Sequence, residues 1–306
     1  MMKKMFLLAA GVLVLSGCGA ATLDNGGSSE TQSEEKAASE LTVGVSISTL
    51  NNPFFVSMQE GINQLAEEND TDVRFVDAQD DTAKQSNDID DLIQQGVDVL
   101  LINPVDSAAI VPAVEAANNA NIPVIAIDRS SDGGTLLTTV ASNNEEGGKM
   151  AAEFILEQLG ENAKVVELEG VPGASATRER GKGFDDYAKD KLDVVEKQSA
   201  NFNRAEGLTV MENILQANND IQGVFAQNDE MALGAAEAMG NREGVVIVGF
   251  DGTEDGLKAI EEGRMTATIA QKPEEMGRLA LQAAFDHFQG KTVAEQIDSP
   301  LELVKK

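Results

Sequence analysis

Residues 41–55, LTVGVSISTLNNPFF, read as an apolar run from Leu41 to Ile47 that stops at two amides and a proline and then opens a helix on two phenylalanines. The run is too short and too β-branched for a helix, so it predicts a buried strand. Beyond its end the amides and the aromatic rings stand together. That pairing of hydrogen-bonding groups with apolar faces is the chemistry needed to hold a small polyhydroxylated molecule.

The same alternation continues along the chain. Apolar runs at 72–77, 97–102, 122–127 and 138–141 predict further strands, and between them lie stretches of helical spacing such as Phe55, Met58, Ile62, Leu65 and Ile110, Val114, Ala117. The pattern then restarts, with runs at 163–168, 192–196, 221–226, 244–249 and 266–270 and helical segments at about 145–159, 175–189, 205–218, 229–239 and 254–262. Strand followed by helix, repeated, implies an α/β fold with a parallel sheet covered on both faces. Two such series imply two doubly wound lobes facing each other.

Ligands of open parallel sheets bind beyond the carboxyl ends of the strands. The residues at those ends are Asn52, Asn103, Asp128 and Arg129 in the first series, and Phe202, Asn228, Asp251 and Gln271 in the second. Amides, carboxylates and a guanidinium can pair with adjacent hydroxyls, while Phe54, Phe55 and Phe202 can cover the C–H faces of a ring.

The formal charge of −29 over 306 residues argues against nucleic acid and anionic lipid as partners, because both would be repelled. The N-terminus has its own logic. Lys3 and Lys4 precede an apolar run from Met5 to Leu15, and Leu15-Ser16-Gly17-Cys18 ends it at the only cysteine. This is the pattern of a bacterial lipoprotein signal, cleaved after residue 17 to leave a lipid-modified Cys18. The run is shorter than the roughly 20 residues of a membrane-spanning helix. Residues 18–40, nearly free of large apolar side chains, are expected to form a flexible tether, so the body would be held at the outer face of a membrane.

From Leu41 to Lys306 the chain resembles the periplasmic sugar-binding proteins of ABC transporters, most closely the ribose-binding proteins. The motifs that carry the resemblance are STLNNPFF (48–55), LLINPVDS (100–107), IPVIAIDR (122–129), ATRERGKGF (176–184), VFAQNDEMALGA (224–235), VIVGFDGT (246–253) and ATIAQKP (267–273). The resemblance implies two lobes joined by three crossing strands, the N-terminal one from 41–142 and 272–300, the C-terminal one from 143–271 and 301–306. It also implies sugar contacts at Asn52, Phe54, Phe55, Asn103, Asp128 and Arg129 from one lobe and Arg180, Phe202, Asn228 and Asp251 from the other, with Gln271 by the hinge. None of these eleven positions departs from the family pattern, which favours D-ribose over a hexose. Allose, xylose, galactose or a furanose autoinducer are the alternatives. A monomeric receptor that delivers its sugar to a membrane permease, without cofactor or metal, is the implied function, and the lipobox suggests a Gram-positive cell.

Other chemistry is poorly supplied. Asp128 and Asp251 could face each other as the carboxylate pair of a glycoside hydrolase, but Arg129 is expected to keep Asp128 ionised and so unfit as an acid. His287 is the only histidine, which leaves no Ser-His pair and no multi-histidine zinc site, and its place near a helix end predicts interaction with the terminal carbonyls. Gly170 and Gly173 in GVPGAS lack the Gly-Lys-Ser/Thr of a phosphate loop and predict a turn or close packing. A sugar-responsive repressor would need a basic helix-turn-helix where this chain has its lipobox and acidic tether.

Overall fold

The computed structural model describes residues 35–240 and 242–306. The signal, Cys18 and the tether up to residue 34 lie outside the described residues.

The first lobe begins with β1 (Thr42–Ile47), α1 (Pro53–Glu68), β2 (Asp72–Asp77), α2 (Thr82–Gln94), β3 (Val99–Ile102), α3 (Val111–Asn119), β4 (Val124–Ile127) and β5 (Thr138–Ser142). The chain then builds α4 (Asn144–Leu159), β6 (Lys164–Glu169), α5 (Ser175–Ala188), β7 (Asp193–Ser199), α6 (Arg204–Ala217), β8 (Gly223–Ala226), α7 (Asp229–Met239), β9 (Val246–Asp251), α8 (Glu254–Glu262) and β10 (Ala267–Ala270). It closes with α9 (Pro273–Phe288), β11 (Gln296–Ser299) and β12 (Glu302–Lys305).

Two six-stranded sheets result, ordered β11-β5-β4-β3-β1-β2 and β12-β10-β9-β8-β6-β7. The chain therefore passes between sheets after β5, after β10 and between β11 and β12. The central strands are buried on both faces, as Val99–Ile102 and Gly223–Ala226 show by being buried at every position. The first lobe packs α1 and α9 on one face, with Met58, Ile62, Met276 and Leu281 against Val43, Val45 and Ile125. Gly61 and Gly277 bring these two helices into close approach, since a Cβ on Gly61 would lie 2.0 Å from the Glu274 carbonyl oxygen.

Two features depart from the sequence reading. Strand β12 pairs antiparallel with β10, whereas the other pairings in both sheets are parallel. Only Pro300 and Leu301 separate β11 from β12, so no crossover helix returns the chain to the far end of the second sheet. A strand that enters from the cleft must run against its neighbours. The second departure is at the tether. Lys36 N–H donates to the Phe288 carbonyl, its side chain pairs with Asp98, and a short 3₁₀ turn at Ala38–Glu40 sets Ala38 against the first core. The segment 36–40 is thus part of the body, held at its surface by these contacts rather than by buried side chains of its own.

Candidate functional site

Asn52 stands at the cap of α1, where its Oδ1 accepts the Phe54 N–H at 3.0 Å and Pro53 fills the first helical position. This turn buries Phe55, and Phe54 meets that ring edge-on with centroids 5.3 Å apart. Asn103 follows β3 and knits three strand ends together: its Oδ1 accepts from Ser48 Oγ (2.6 Å), and its Nδ2 donates to the Ile127 carbonyl (3.0 Å) and Asp128 Oδ2 (3.4 Å). Arg129 donates from Nη1 to the Pro104 carbonyl at 3.1 Å, with its Nε 3.6 Å from Asp128 Oδ2.

In the second lobe Arg180 projects from α5. Its Nε donates to Asn144 Oδ1 (2.9 Å) and its Nη1 to the Gln227 carbonyl (2.7 Å), with Asp251 Oδ1 3.8 Å from that same nitrogen. Gln271 Nε2 donates to Asp251 Oδ1 at 2.9 Å. Asn228 caps α7 by accepting the Met231 N–H and donates from Nδ2 to the Phe202 carbonyl at 3.1 Å, so its amide helps hold Phe202 in place. Asp128, Phe202 and Asp251 all have positive φ, at 64°, 58° and 121°. Non-glycine residues adopt this backbone at a cost of order 1–3 kcal/mol, and such strain concentrates where side chains must be aimed at a ligand.

These groups converge across the lobes. The Arg129 guanidinium lies 5.1 Å from the Phe55 centroid and 5.2 Å from that of Phe202, and Arg180 lies 3.8 Å from Phe250. Two arginines and two aspartates, all four buried, act on one another's charge. Burial dominates: it pushes the Asp128 carboxyl up against the pull of Arg129, Arg180 and Asn103, holds Asp251 well above the usual carboxylate range, and lowers both arginines. Arg129 and Arg180 pull the Asp128 carboxyl down, as the sequence reading expects of Arg129, but desolvation in so dry a site is the larger influence. Asp128 Oδ1, Arg129 Nε and Gln271 Oε1 are buried without a hydrogen-bond partner among the described residues. Such atoms carry a desolvation penalty until something pairs with them.

In front of this cluster opens a cleft of about 280 Å³. Asn52, Phe55, Arg129 and Phe202 line it, while Asn103, Asp128, Arg180, Asn228, Asp251 and Gln271 stand behind them, buried. Phe54 is not among the residues lining the cleft; it packs on Phe55 from the core side. The cleft also takes Thr49, Asp80, Asn201 and the ion pair of Arg204 with Glu230 (2.7 Å), none of which the sequence reading included. Asp80 lies just past the end of β2, so the rule of strand ends points to it as well. Lobe-to-lobe hydrogen bonds flank the cleft: Ser107 N–H to the Gly173 carbonyl (2.9 Å), Ser130 N–H to Ser175 Oγ (3.0 Å) and Arg178 to Asp132 (2.7 Å).

Gly170 and Gly173 are points of close approach. A Cβ on Gly170 would lie 2.0 Å from the Phe202 ring, and one on Gly173 would lie 1.9 Å from the Asp106 carboxylate. His287 sits in the last turn of α9 with its ring edge-on to Phe288, and burial lowers its pKa, which works against a charged partner for the terminal carbonyls.

A periplasmic binding protein domain model matches residues 43–292. The ribose import binding protein of Bacillus subtilis is 57% identical over 265 residues, covering 86% of this chain and 87% of that protein. Its Escherichia coli counterpart is 45% identical over 273 residues, covering 88% and 92%. Among solved structures, an ABC transporter solute-binding protein from Mycobacterium smegmatis with bound glycerol superposes with a TM-score of 0.83 at 34% identity, covering 87% of this chain and 94% of that one. One from Actinobacillus succinogenes with bound D-allose gives 0.81 at 29% identity, covering 87% and 97%.

Proposed function

Because this chain belongs to the periplasmic binding protein family, we propose that it is the extracytoplasmic sugar receptor of an ABC importer and that its cargo is D-ribose. One observation carries this reading. The buried Asp128, Arg129 and Gln271 keep unpaired acceptors and a donor beside a cleft walled by Phe55 and Phe202, which is what vicinal hydroxyls and an apolar ring face would complete. The relatives from Bacillus subtilis and Escherichia coli, named for ribose import, support the choice of sugar.

On this reading the eleven residues from Asn52 to Gln271 form the sugar site. Each lobe alone offers only part of the contacts, so a bound sugar stabilises the closed form relative to an open one. Closure excludes water and strengthens the charged hydrogen bonds of Asp128, Arg129, Arg180 and Asp251. The closed receptor then presents both lobes to the permease. Binding and release are its whole chemistry, with no bond made or broken, and it works as a monomer. Its anchor is a lipid on Cys18, which would keep a receptor at the outer face of the cell membrane where no outer membrane retains it.

Titration with D-ribose by isothermal calorimetry tests the reading, with allose, xylose, galactose and a furanose autoinducer as comparisons. One-to-one binding in the micromolar range or tighter, strongest for ribose, is expected. No heat with ribose and a clear isotherm with another of these sugars would reassign the cargo, and release of aglycone from a riboside would overturn the receptor role. Labelled fatty acid incorporated by the full chain, and lost in Cys18→Ser, tests the anchor.

A further inference from the structure

Glu167 is an acid in the middle of β6 with no exposed surface, and the sugar site described above does not touch it. Its Oε1 accepts from Gln227 Nε2 at 2.8 Å, and its Oε2 lies 2.8 Å from Lys197 Nζ as an ion pair rather than an aligned hydrogen bond. Gln227 Oε1 in turn accepts the Gly170 N–H at 3.0 Å. Gly181, on α5, leaves the space this pair occupies: a Cβ there would lie 3.2 Å from Gln227 Nε2 and 3.4 Å from Glu167 Oε1.

The consequence lies in the orientation of one amide. A glutamine side chain can present oxygen or nitrogen to either side, and the two choices differ only in what faces them. Gly170 N–H requires the oxygen. Ionised beside Lys197, Glu167 offers Gln227 only acceptor oxygens, so it requires the nitrogen on the other side. Reversal would set donor against donor at Gly170 and acceptor against acceptor at Glu167. With Gln227 fixed, Gly170 is pinned from two directions, because Ser199 Oγ donates to its carbonyl at 2.7 Å. The Phe202 ring rests directly on Gly170, and the Gln227 carbonyl receives Arg180 Nη1. Phe202, which walls the cleft, and Arg180, which stands behind it, thus both lean on Gln227, the first through Gly170.

We propose that Glu167 is a positioning residue for the sugar site, which by holding the Gln227 amide in one orientation seats Gly170 and Phe202 and steadies Arg180. This rests on the sugar-receptor reading for its functional consequence, but its structural half stands without any ligand. The charged groups around Glu167 are Lys197 from β7 and Asp185 from α5, which also pairs with Lys197. Lys197 balances the carboxylate, while Gln227 is the link to the site.

The test compares Glu167→Leu, which removes the acceptor, with Glu167→Gln, which keeps an oxygen for Gln227 while removing the charge. In the ligand-free protein the Gly170 amide should exchange with deuterium at least tenfold faster in E167L than in the wild type, and near the wild-type rate in E167Q. Ribose affinity by calorimetry should fall about tenfold or more in E167L and stay within about threefold in E167Q. Unchanged Gly170 exchange in E167L overturns the relay whatever sugar the protein binds, and equal loss of affinity in both variants shows that charge, not amide orientation, matters. If wild-type protein ignores ribose, the cargo assignment fails while the exchange result still decides the relay. Should E167L not fold, Gln227→Met severs the same link from the other side with the same expected pattern.

Discussion

Arg129 of the first lobe lies 5.2 Å from the centre of the Phe202 ring in the second and 5.1 Å from that of Phe55 in its own. A buried cation beside an aromatic ring contributes of order 2 kcal/mol when desolvated, and the contact with Phe202 forms only when the lobes meet. Phe202→Leu should therefore weaken sugar binding by roughly ten- to thirtyfold while leaving the melting temperature of the ligand-free protein within a few degrees. Calorimetry and thermal denaturation together check it; equal losses in both would mean that Phe202 serves the core of its lobe and not the site.

Asp251 is the group with most to lose. It is buried beside Arg180, accepts from Gln271 and sits on strained backbone, so its removal strands two donors behind the cleft. Truncating one partner of a buried charged pair costs roughly 2–5 kcal/mol. Asp251→Ala should abolish micromolar sugar binding, and a calorimetric affinity equal to the wild type would remove Asp251 from the site.

How much of this was legible in sequence depended on where each residue stood. The rule of strand ends reaches Asn103, Asp128, Asn228 and Asp251 because apolar strands make their own boundaries visible. Glu167 escaped it, since an acid inside an apolar run carries no mark of its partners, the buried Gln227 and the half-buried Lys197, which lie 60 and 30 positions further along the chain. Strands β11 and β12 were illegible for the opposite reason. As edge strands with exposed Gln296, Glu302 and Lys305 they lack an apolar run, and only their pairing with β5 and β10 makes them strands. Arg180 lies within a helix rather than at a strand end, and only the motif resemblance indicated it.

Closure should be sensitive to a single added side chain at the lobe junction. Gly173 lies against Asp106 of the opposite lobe, and its carbonyl receives the Ser107 N–H. Gly173→Val would force the lobes apart without disturbing either core. The expected result is a larger radius of gyration in the presence of saturating sugar, by small-angle scattering, with weakened affinity and an unaltered melting temperature for the ligand-free protein. A compact ligand-bound form in this variant would show that the junction yields and that closure does not depend on it.

The buried acids set a direction for the stability of the ligand-free protein with pH. Burial raises Glu167 to about 7 and Asp229 to about 6, and it also raises Asp128 and Asp251. In the unfolded chain these carboxyls release their protons near 4. Between roughly pH 4 and 7 the folded protein therefore binds more protons than the unfolded chain, and stability falls as pH rises through that window. For Glu167, whose carboxyl is pushed up to about 7 by burial, the decline is of order 3 kcal/mol. The midpoint of urea denaturation should then lie higher at pH 5 than at pH 8, and Glu167→Gln should flatten part of that difference because its amide does not titrate. A midpoint that climbs with pH would show that Lys197 and the arginines hold these acids ionised in the folded state, reversing the assignment.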